Sequence, residues 1–395
     1  MSTIHTIFND ALPSYTAVGG TERKASTGLS AVILNRGGKY SRYNLFEKLE
    51  NIGFDYILSM ESSVNRYDIE SLSQSFPFVR FILLKEPVST GEEINLAAAE
   101  LSGPLFFVFW NDLRILRCGG AERMAERLLD SGAENRGRYK RLCTVPLIQD
   151  ERFESLPTLI VPMLLPEKKP KLSIKTIPSV PLEEGLPSLY PFDGIGIYDR
   201  ERFIRLGGFD PSIKSFYWQL MDFGFRSSLW GEKIASTRLI KLSYEGIVPQ
   251  EDTTPGEGWR RFFLKNLAPV FRRDYAHIPL TRFPVYLRRR GELVAAWEEF
   301  SRAREWVGTN RYRFVSDART IAERFVSIGS GVPDESDENA ETKFPSEINS
   351  PPKTVSPQET KFTMDEPTEG SDNDSKPSAE PRSGEGSPPA RGKEE

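Results

Sequence analysis

Short apolar runs alternate with amphipathic stretches through the first 110 residues. Leu29–Leu34 has the unbroken apolar character of a strand buried on both faces, and Asn35-Arg36-Gly37-Gly38 follows it as a turn. From Ser41 to Ile52 the apolar positions Leu45, Leu49 and Ile52 fall on one side of a helix. Tyr56–Met60 is a second strand ending in Glu61-Ser62-Ser63, residues 66–76 a second helix, and Val79–Leu84 a third strand. A loop with Gly91 leads into a helix through Asn95, Ala97, Ala98 and Ala99, and Pro104–Trp110 is a fourth strand that stops at Asn111-Asp112. This alternation predicts an α/β fold with a parallel sheet covered on both faces. Such sheets bind ligands beyond the carboxyl ends of their strands. Those ends carry Asn35-Arg36, Glu61-Ser62 and Asn111-Asp112, three polar clusters on one edge.

Between Asp193 and Ile234 the pattern changes. Gly194 and Gly196 flank a short apolar run where packing is close. Asp199–Leu206 predicts one or two helical turns with Phe203, Ile204 and Leu206 inward. Gly207-Gly208 stop it, and Phe209-Asp210-Pro211 begin a turn. From Phe216 to Trp230, Trp218, Met221, Phe225 and Leu229 recur at helical spacing, which brings Asp222 and Arg226 together four residues apart. That pair is either an ion pair of the helix or a catalytic acid beside a glycine loop. Tyr217 and Trp218 are either core or a platform for a sugar ring.

Composition sharpens the C-terminal half. Residues 331–395 are rich in Pro, Ser, Glu, Asp, Lys, Thr and Gly, with Phe344 and Phe362 as their only aromatics, too little apolar surface to offset chain entropy. With 16 acidic and 7 basic residues this acidic tail carries −9 against −4 for the whole chain, which leaves residues 1–330 at +5. A mildly basic body suits an anionic ligand. The expected organisation is a loosely ordered lead-in over 1–26, an α/β domain over 27–250, a basic, aromatic and helical extension over 251–330, and a disordered tail over 331–395.

Trp259–Arg290 holds nine Lys or Arg against one acid, Asp274, with seven aromatics interleaved. Such a segment wraps the α/β domain, lies on an anionic membrane surface, or contacts nucleic acid. No recognised nucleic-acid motif accompanies it, which places that partner last. Glu292–Trp306 and Ser316–Val326 have helical patterns. Cys118 and Cys143 make neither a disulfide framework nor a thiolate metal site. The N-terminus lacks the basic and apolar regions of a signal peptide, and no run reaches the ~20 apolar residues of a span. A cytoplasmic protein is expected, with membrane contact limited to the periphery. Gly37–Ser41 lacks the first glycine of a phosphate loop, and no G-x-G-x-x-G follows the first strand, which argues against mononucleotide-triphosphate and dinucleotide enzymes.

In order and spacing, the segments LSAVILNR, YILSMESS, VSTGEEINLAAAELSG, LFFVFWND and RERFIRLGGFDPSIKSFYWQLMDFGFR resemble family 2 glycosyltransferases over roughly Leu29 to Tyr244. The resemblance implies a GT-A-like mixed, mostly parallel sheet flanked by helices. It implies a nucleotide-diphosphate sugar held by Asn35, Arg36, Glu61, Ser62, Gly91, Asn95 and Asn111. Asp112 stands at the family's Asp-x-Asp and implies a divalent cation, Mn or Mg, for which carboxylate oxygens are the suitable ligands. Gly207, Gly208, Asp210, Trp218 and Arg226 correspond to the acceptor side.

Two departures follow from the same comparison. Trp110-Asn111-Asp112 keeps one carboxylate where the family has two, and Gln219-Leu220 replaces the acidic residue that serves as general base. Asp222 matches the family's next acidic position, and Lys241–Glu245 lacks the histidine often found there. Asp193 is the nearest substitute base, with Asp222 the second catalytic candidate. The expected activity is inverting transfer of a sugar to a hydroxyl of a glycan, lipid-linked or protein acceptor. The alternative is a GT-A fold that has lost catalysis and binds a sugar nucleotide or a partner.

Overall fold

The computed structural model describes residues 12–21, 26–36, 42–61, 69–130, 141–164 and 174–329. The turn 37–41, Ser62 and the tail 331–395 lie outside them.

The four expected parallel strands are present as β2 (Leu29–Leu34), β3 (Ile57–Glu61), β4 (Val79–Leu84) and β5 (Leu105–Trp110). Helices α1 (Arg42–Ile52), α2 (Ile69–Ser75) and α3 (Thr90–Glu100) alternate with them. Every residue of β2, β3 and β5 is buried, which is why these strands read as continuous apolar runs rather than alternating ones. The chain continues through β6 (Leu113–Arg117), α4 (Ala121–Asp130), β7 (Cys143–Gln149) and a separate hairpin of β8 (Leu159–Leu164) and β9 (Ile174–Ser179). Then come β10 (Gly196–Asp199), α5 (Arg200–Leu206), α6 (Phe216–Leu229) and β11 (Ile234–Tyr244).

With β1 (Tyr15–Gly19) the main sheet has the order β1-β4-β3-β2-β5-β10-β7-β11-β6. Strands β2, β3, β4, β5, β7 and β11 run one way and β1, β6 and β10 the other, so the sheet is mixed and mostly parallel, flanked by helices. The chain steps outward from β2 through β3 to β4, then returns to the other side of β2 with β5. That makes the β2–β5 junction a topological switch point, where open α/β sheets bind ligands.

Two of the strands beyond the expected four form the edges of the sheet. β1 falls in the lead-in and pairs antiparallel with β4 from Tyr15↔Leu84 to Gly19↔Arg80. It is short and half-exposed, and only the free edge of β4 gives it a reason to extend. β6 follows β5 after the two-residue turn Asn111-Asp112 and pairs with β11 at the far edge.

Helix α5 is capped as its sequence suggests. The Asp199 carboxylate accepts from the Arg202 N–H at its start, and Gly207 ends it at φ 93°. Helix α6 differs from the one-sided stripe expected of it, since twelve of its fourteen residues are buried. The extension covers its other side. Helix α7 (Glu257–Phe262), whose last residue packs onto α6, runs into a π turn (Phe263–Leu267). Phe262 lies 5.6 Å from Trp218 and 5.4 Å from Phe225, ring centre to ring centre. A small hairpin of β12 (Val270–Arg272) and β13 (Tyr275–His277) leads into α8 (Phe283–Arg290) and α9 (Leu293–Thr309). Tyr286 and Phe300 are fully buried, and Trp230 stacks on Trp306. The basic, aromatic segment therefore spends much of its apolar surface on the domain itself. Helix α10 (Ala318–Gly329) packs on β8. Among the described residues no helix is long and apolar enough to cross a membrane.

Candidate functional site

All of the predicted strand-end clusters that are described meet on one edge of the sheet. β2, β3, β5 and β11 end there, and β10, running the other way, begins there. Asn35 links two of them. Its Nδ2 donates to Glu61 Oε2 at 3.0 Å, and its Oδ1 accepts from Asn111 Nδ2 at 2.9 Å. The Arg36 N–H donates to Asn111 Oδ1 at 3.2 Å, which ties the first turn to the end of β5.

The Arg36 guanidinium crosses the switch point. It pairs with Asp193 Oδ2, stands 3.6 Å from Asp112 Oδ2, and lies 3.8 Å over the Trp110 ring. Its side chain keeps 22% exposure, so it is the cation that a ligand in the crevice would meet. Asp193 adopts a left-handed conformation (φ 55°, ψ 21°) in the turn before β10, one that a short polar side chain tolerates. Trp110 Nε1 donates to its carbonyl at 2.9 Å, and the Tyr244 hydroxyl donates to its Oδ2 at 2.8 Å. Burial pushes the Asp193 carboxyl up to about 6, against the opposing pull of Arg36 and Tyr244.

Glu61 is a hub rather than a ligand contact. It has no exposed surface, Arg42 holds both its oxygens at 3.0 and 2.9 Å, and Ser59 Oγ donates to Oε1 at 2.6 Å. Burial raises it even so, and burial together with Glu61 pushes its neighbour Glu93 up to about 8. Glu61 thus acts by aiming Asn35 and Arg42. Asp112 is buried, which raises its carboxyl, and its Oδ1 has no hydrogen-bond partner. Among the described residues no group of three His, Cys, Asp or Glu is placed to hold a metal by itself. The unpartnered Asp112 oxygen nevertheless fits a cation held chiefly by phosphates, as hard cations often are in such sites.

The expected acceptor-side residues also come together, but as a buried network. Asp222 Oδ2 pairs with Arg226 at 2.8 Å, and its Oδ1 with Lys265 at 2.9 Å and Asn266 at 2.8 Å. Arg226 donates to the carbonyls of Leu206 and Gly208, both at 2.7 Å, and so holds the glycine loop. Asp210 accepts from Arg261 at 2.6 Å and Lys265 at 2.7 Å. Trp218 is packed against Phe262 and donates its Nε1 to the Thr254 carbonyl at 2.9 Å. Asp222 has no reach to an acceptor hydroxyl, because it is wholly buried and both oxygens are engaged.

The positions Gly91 and Asn95 are likewise internal. Asn95 exchanges two hydrogen bonds with the Phe209 backbone at 2.8 and 2.9 Å, and the Gly91 N–H donates to Gln219 Oε1 at 3.1 Å. Gln219, where an acid was expected, also donates to Ser89 Oγ at 2.8 Å and so stitches α3 to α6.

Sequence reasoning did not select Arg42, Tyr244, Lys265 or Glu251. Glu251 lies in the loop after β11, half-buried, with its two oxygens 3.1 and 3.0 Å from the Tyr190 hydroxyl. Burial, opposed by Tyr190 and reinforced by Asp193, pushes it up to about 7. Its sequence context, a polar loop, offers no signal. A cavity of about 390 Å³ lined by Leu105, Arg141, Thr144, Ile197 and Asp199 lies at the opposite strand ends, away from these groups.

No family model matches the chain, and no curated protein matches it in sequence. Solved structures similar in course include GalNAc-T7 with UDP, GalNAc and Mn²⁺, at 12% identity and a TM-score of 0.47 over 76% of this chain and 58% of that one. S. aureus TarS gives 12% and 0.39 over 60% and 38%. TarS 1–349 in complex with UDP-GlcNAc gives 11% and 0.37 over 60% and 64%. The chain spans less than two thirds of the length of the first two. Similarity this low carries nothing about activity, so function rests on the residues of the site.

Proposed function

We propose that the chain binds a nucleotide-diphosphate sugar at the β2–β5 crevice and transfers the sugar to a hydroxyl of a glycan, lipid-linked or protein acceptor. The observation that supports this is the convergence of Asn35, Arg36, Asn111, Asp112 and Asp193 at the switch point. A half-buried arginine fork there matches phosphate geometry.

Arg36 and Arg42 meet the diphosphate. The ion pair with Asp193 and the stack on Trp110 preset the first, and Glu61 presets the second. Asn35 and Asn111 fix the two turns that flank the nucleotide. Asp112 is the residue that would hold a divalent cation accompanying the diphosphate, which would supply charge neutralisation there. Clustered positive charge stabilises the nucleotide as it leaves, and the glycine loop held by Arg226 and Asn95 borders the acceptor side. The transfer inverts the anomeric carbon if a single displacement operates.

Gln219-Leu220 at the expected base and the internal role of Asp222 favour a second reading, a non-catalytic sugar-nucleotide binding module. Titration calorimetry of the full chain with UDP-GlcNAc and other nucleotide sugars, with and without Mn²⁺, followed by assay of nucleotide release, separates the two. Binding with turnover supports transfer, and binding without turnover supports the module. Failure to bind any of them removes both readings.

A further inference from the structure

We propose that Glu251 is the proton acceptor for the incoming hydroxyl, a role that rests on the glycosyl-transfer reading above. The site needs such a group; Asp112, whose Oδ1 has no hydrogen-bond partner, is reserved for the cation, and three further carboxylates are committed within the fold. Asp222 is wholly buried, Glu61 is saturated by Arg42, Ser59 and Asn35, and Asp193 Oδ2 carries both Arg36 and Tyr244. Glu251 is different in three respects.

First, its only hydrogen-bond donor among the described residues is the Tyr190 hydroxyl, shared between its two oxygens at 3.1 and 3.0 Å. An ionised carboxylate has about four acceptor sites, so most of its capacity remains. Second, no Lys or Arg pairs with it among the described residues. The titratable groups that face it are Tyr190, three residues before Asp193, Tyr217 at the start of α6, and Asp193 itself. A carboxylate with anionic and phenolic neighbours and no cation keeps its affinity for a proton, as a base working near neutral pH requires.

Third, its position is fixed. Trp218 Nε1 holds the Thr254 carbonyl three residues downstream, and the Tyr190 ring is wholly buried against Tyr217. Glu251 is therefore set at the strand-end edge, near enough to Asp193 for that carboxylate's charge to act on it, and it stays half-buried. In the step, the acceptor hydroxyl gives its proton to a Glu251 oxygen as the acceptor's own oxygen bonds to the anomeric carbon. The bond from that carbon to the phosphate oxygen breaks, its electron pair leaves with the nucleotide diphosphate, and Glu251 later loses the proton to water.

The test uses the full chain, UDP-GlcNAc and the other nucleotide sugars of the panel, and transfer to water or to an added glycan. Glu251→Gln is expected to lower kcat by about 10²–10⁴-fold while nucleotide affinity by calorimetry stays within about twofold. The wild-type rate climbs as pH rises through about 7, because the base must be deprotonated, and Glu251→Gln loses that climb. Tyr190→Phe removes a hydrogen bond that favours the charged form and moves the climb to higher pH. A Glu251→Gln enzyme with wild-type kcat overturns the proposal and leaves nucleotide-sugar transfer standing. So does a climb that survives Glu251→Gln but vanishes in Asp193→Asn. Nucleotide binding without turnover by wild type also overturns it, and no nucleotide binding at all refutes the transfer reading beneath it.

Discussion

Lys265 ties the extension to two buried acids of the domain, and Lys265→Met tests that tie directly. Its Nζ lies 2.7 Å from Asp210 Oδ2 and 2.9 Å from Asp222 Oδ1, with side-chain exposures of 5%, 7% and 0%. Each contact is worth about 6 kcal/mol of gross Coulomb energy at an effective dielectric of ~20. Desolvation of the three groups offsets much of this. Removing one member of a buried set costs about 3–5 kcal/mol net, since the charges left behind stay buried. Asp210 would keep Arg261, and Asp222 would keep Arg226 and Asn266, which places the expectation near the lower end. Methionine retains most of the aliphatic volume beside Trp306, so the loss reports charge rather than a cavity.

The pH dependence carries a further check. Burial acts to raise both acids, but Lys265, with Arg261 on Asp210 and Arg226 on Asp222, holds them below the ordinary carboxylate range. An acid depressed in the folded state contributes stability above its unfolded value and loses it as pH falls. The gap between wild type and Lys265→Met should therefore be full at pH 7, stay near full down to about pH 4, and narrow only below that, as read from guanidinium midpoints by tryptophan fluorescence. Pairing Lys265→Met with Asp210→Asn should recover part of the loss. A loss below about 1 kcal/mol, or a gap that does not close on acidification, would refute the buried-bridge account.

Two further outcomes follow from single positions. Asp193 sits near 6 in the fold against 3.8 for an ordinary aspartate, so the folded state holds its proton more tightly; stability should fall by up to about 3 kcal/mol as pH rises from ~4 to ~6, and Asp193→Asn should flatten that slope in urea titrations. At Gly224 in α6 an added Cβ would stand 2.5 Å from the Leu189 carbonyl oxygen, so Gly224→Ala should destabilise by about 1–3 kcal/mol despite alanine's helix preference, and an unchanged melting temperature would refute the close approach of α6 to the Leu189 backbone.

The sequence by itself determined the α/β class, the four parallel strands with their three polar ends, the capped helix at Asp199–Gly207 and the Asp222–Arg226 pair. These are local signals: continuous apolar runs mean strands buried on both faces, and helical spacing brings residues four apart together. The switch-point edge followed from strand ends alone. Only the tertiary structure decided what each polar residue does. Glu61 and Asn95 read as ligand contacts because nothing local shows that Arg42 and the Phe209 backbone consume their hydrogen bonds. Helix α6 read as one-sided because the surface that buries its polar side lies beyond Glu257, more than forty residues after its start. Lys265 and Glu251 carry no motif, since long-range contacts make one a buried counter-ion and leave the other a carboxylate held by the Tyr190 hydroxyl with no Lys or Arg partner among the described residues. Hydrogen bonding and charge pairing are pairwise in space, and spacing along a chain specifies them only within a helix or a turn.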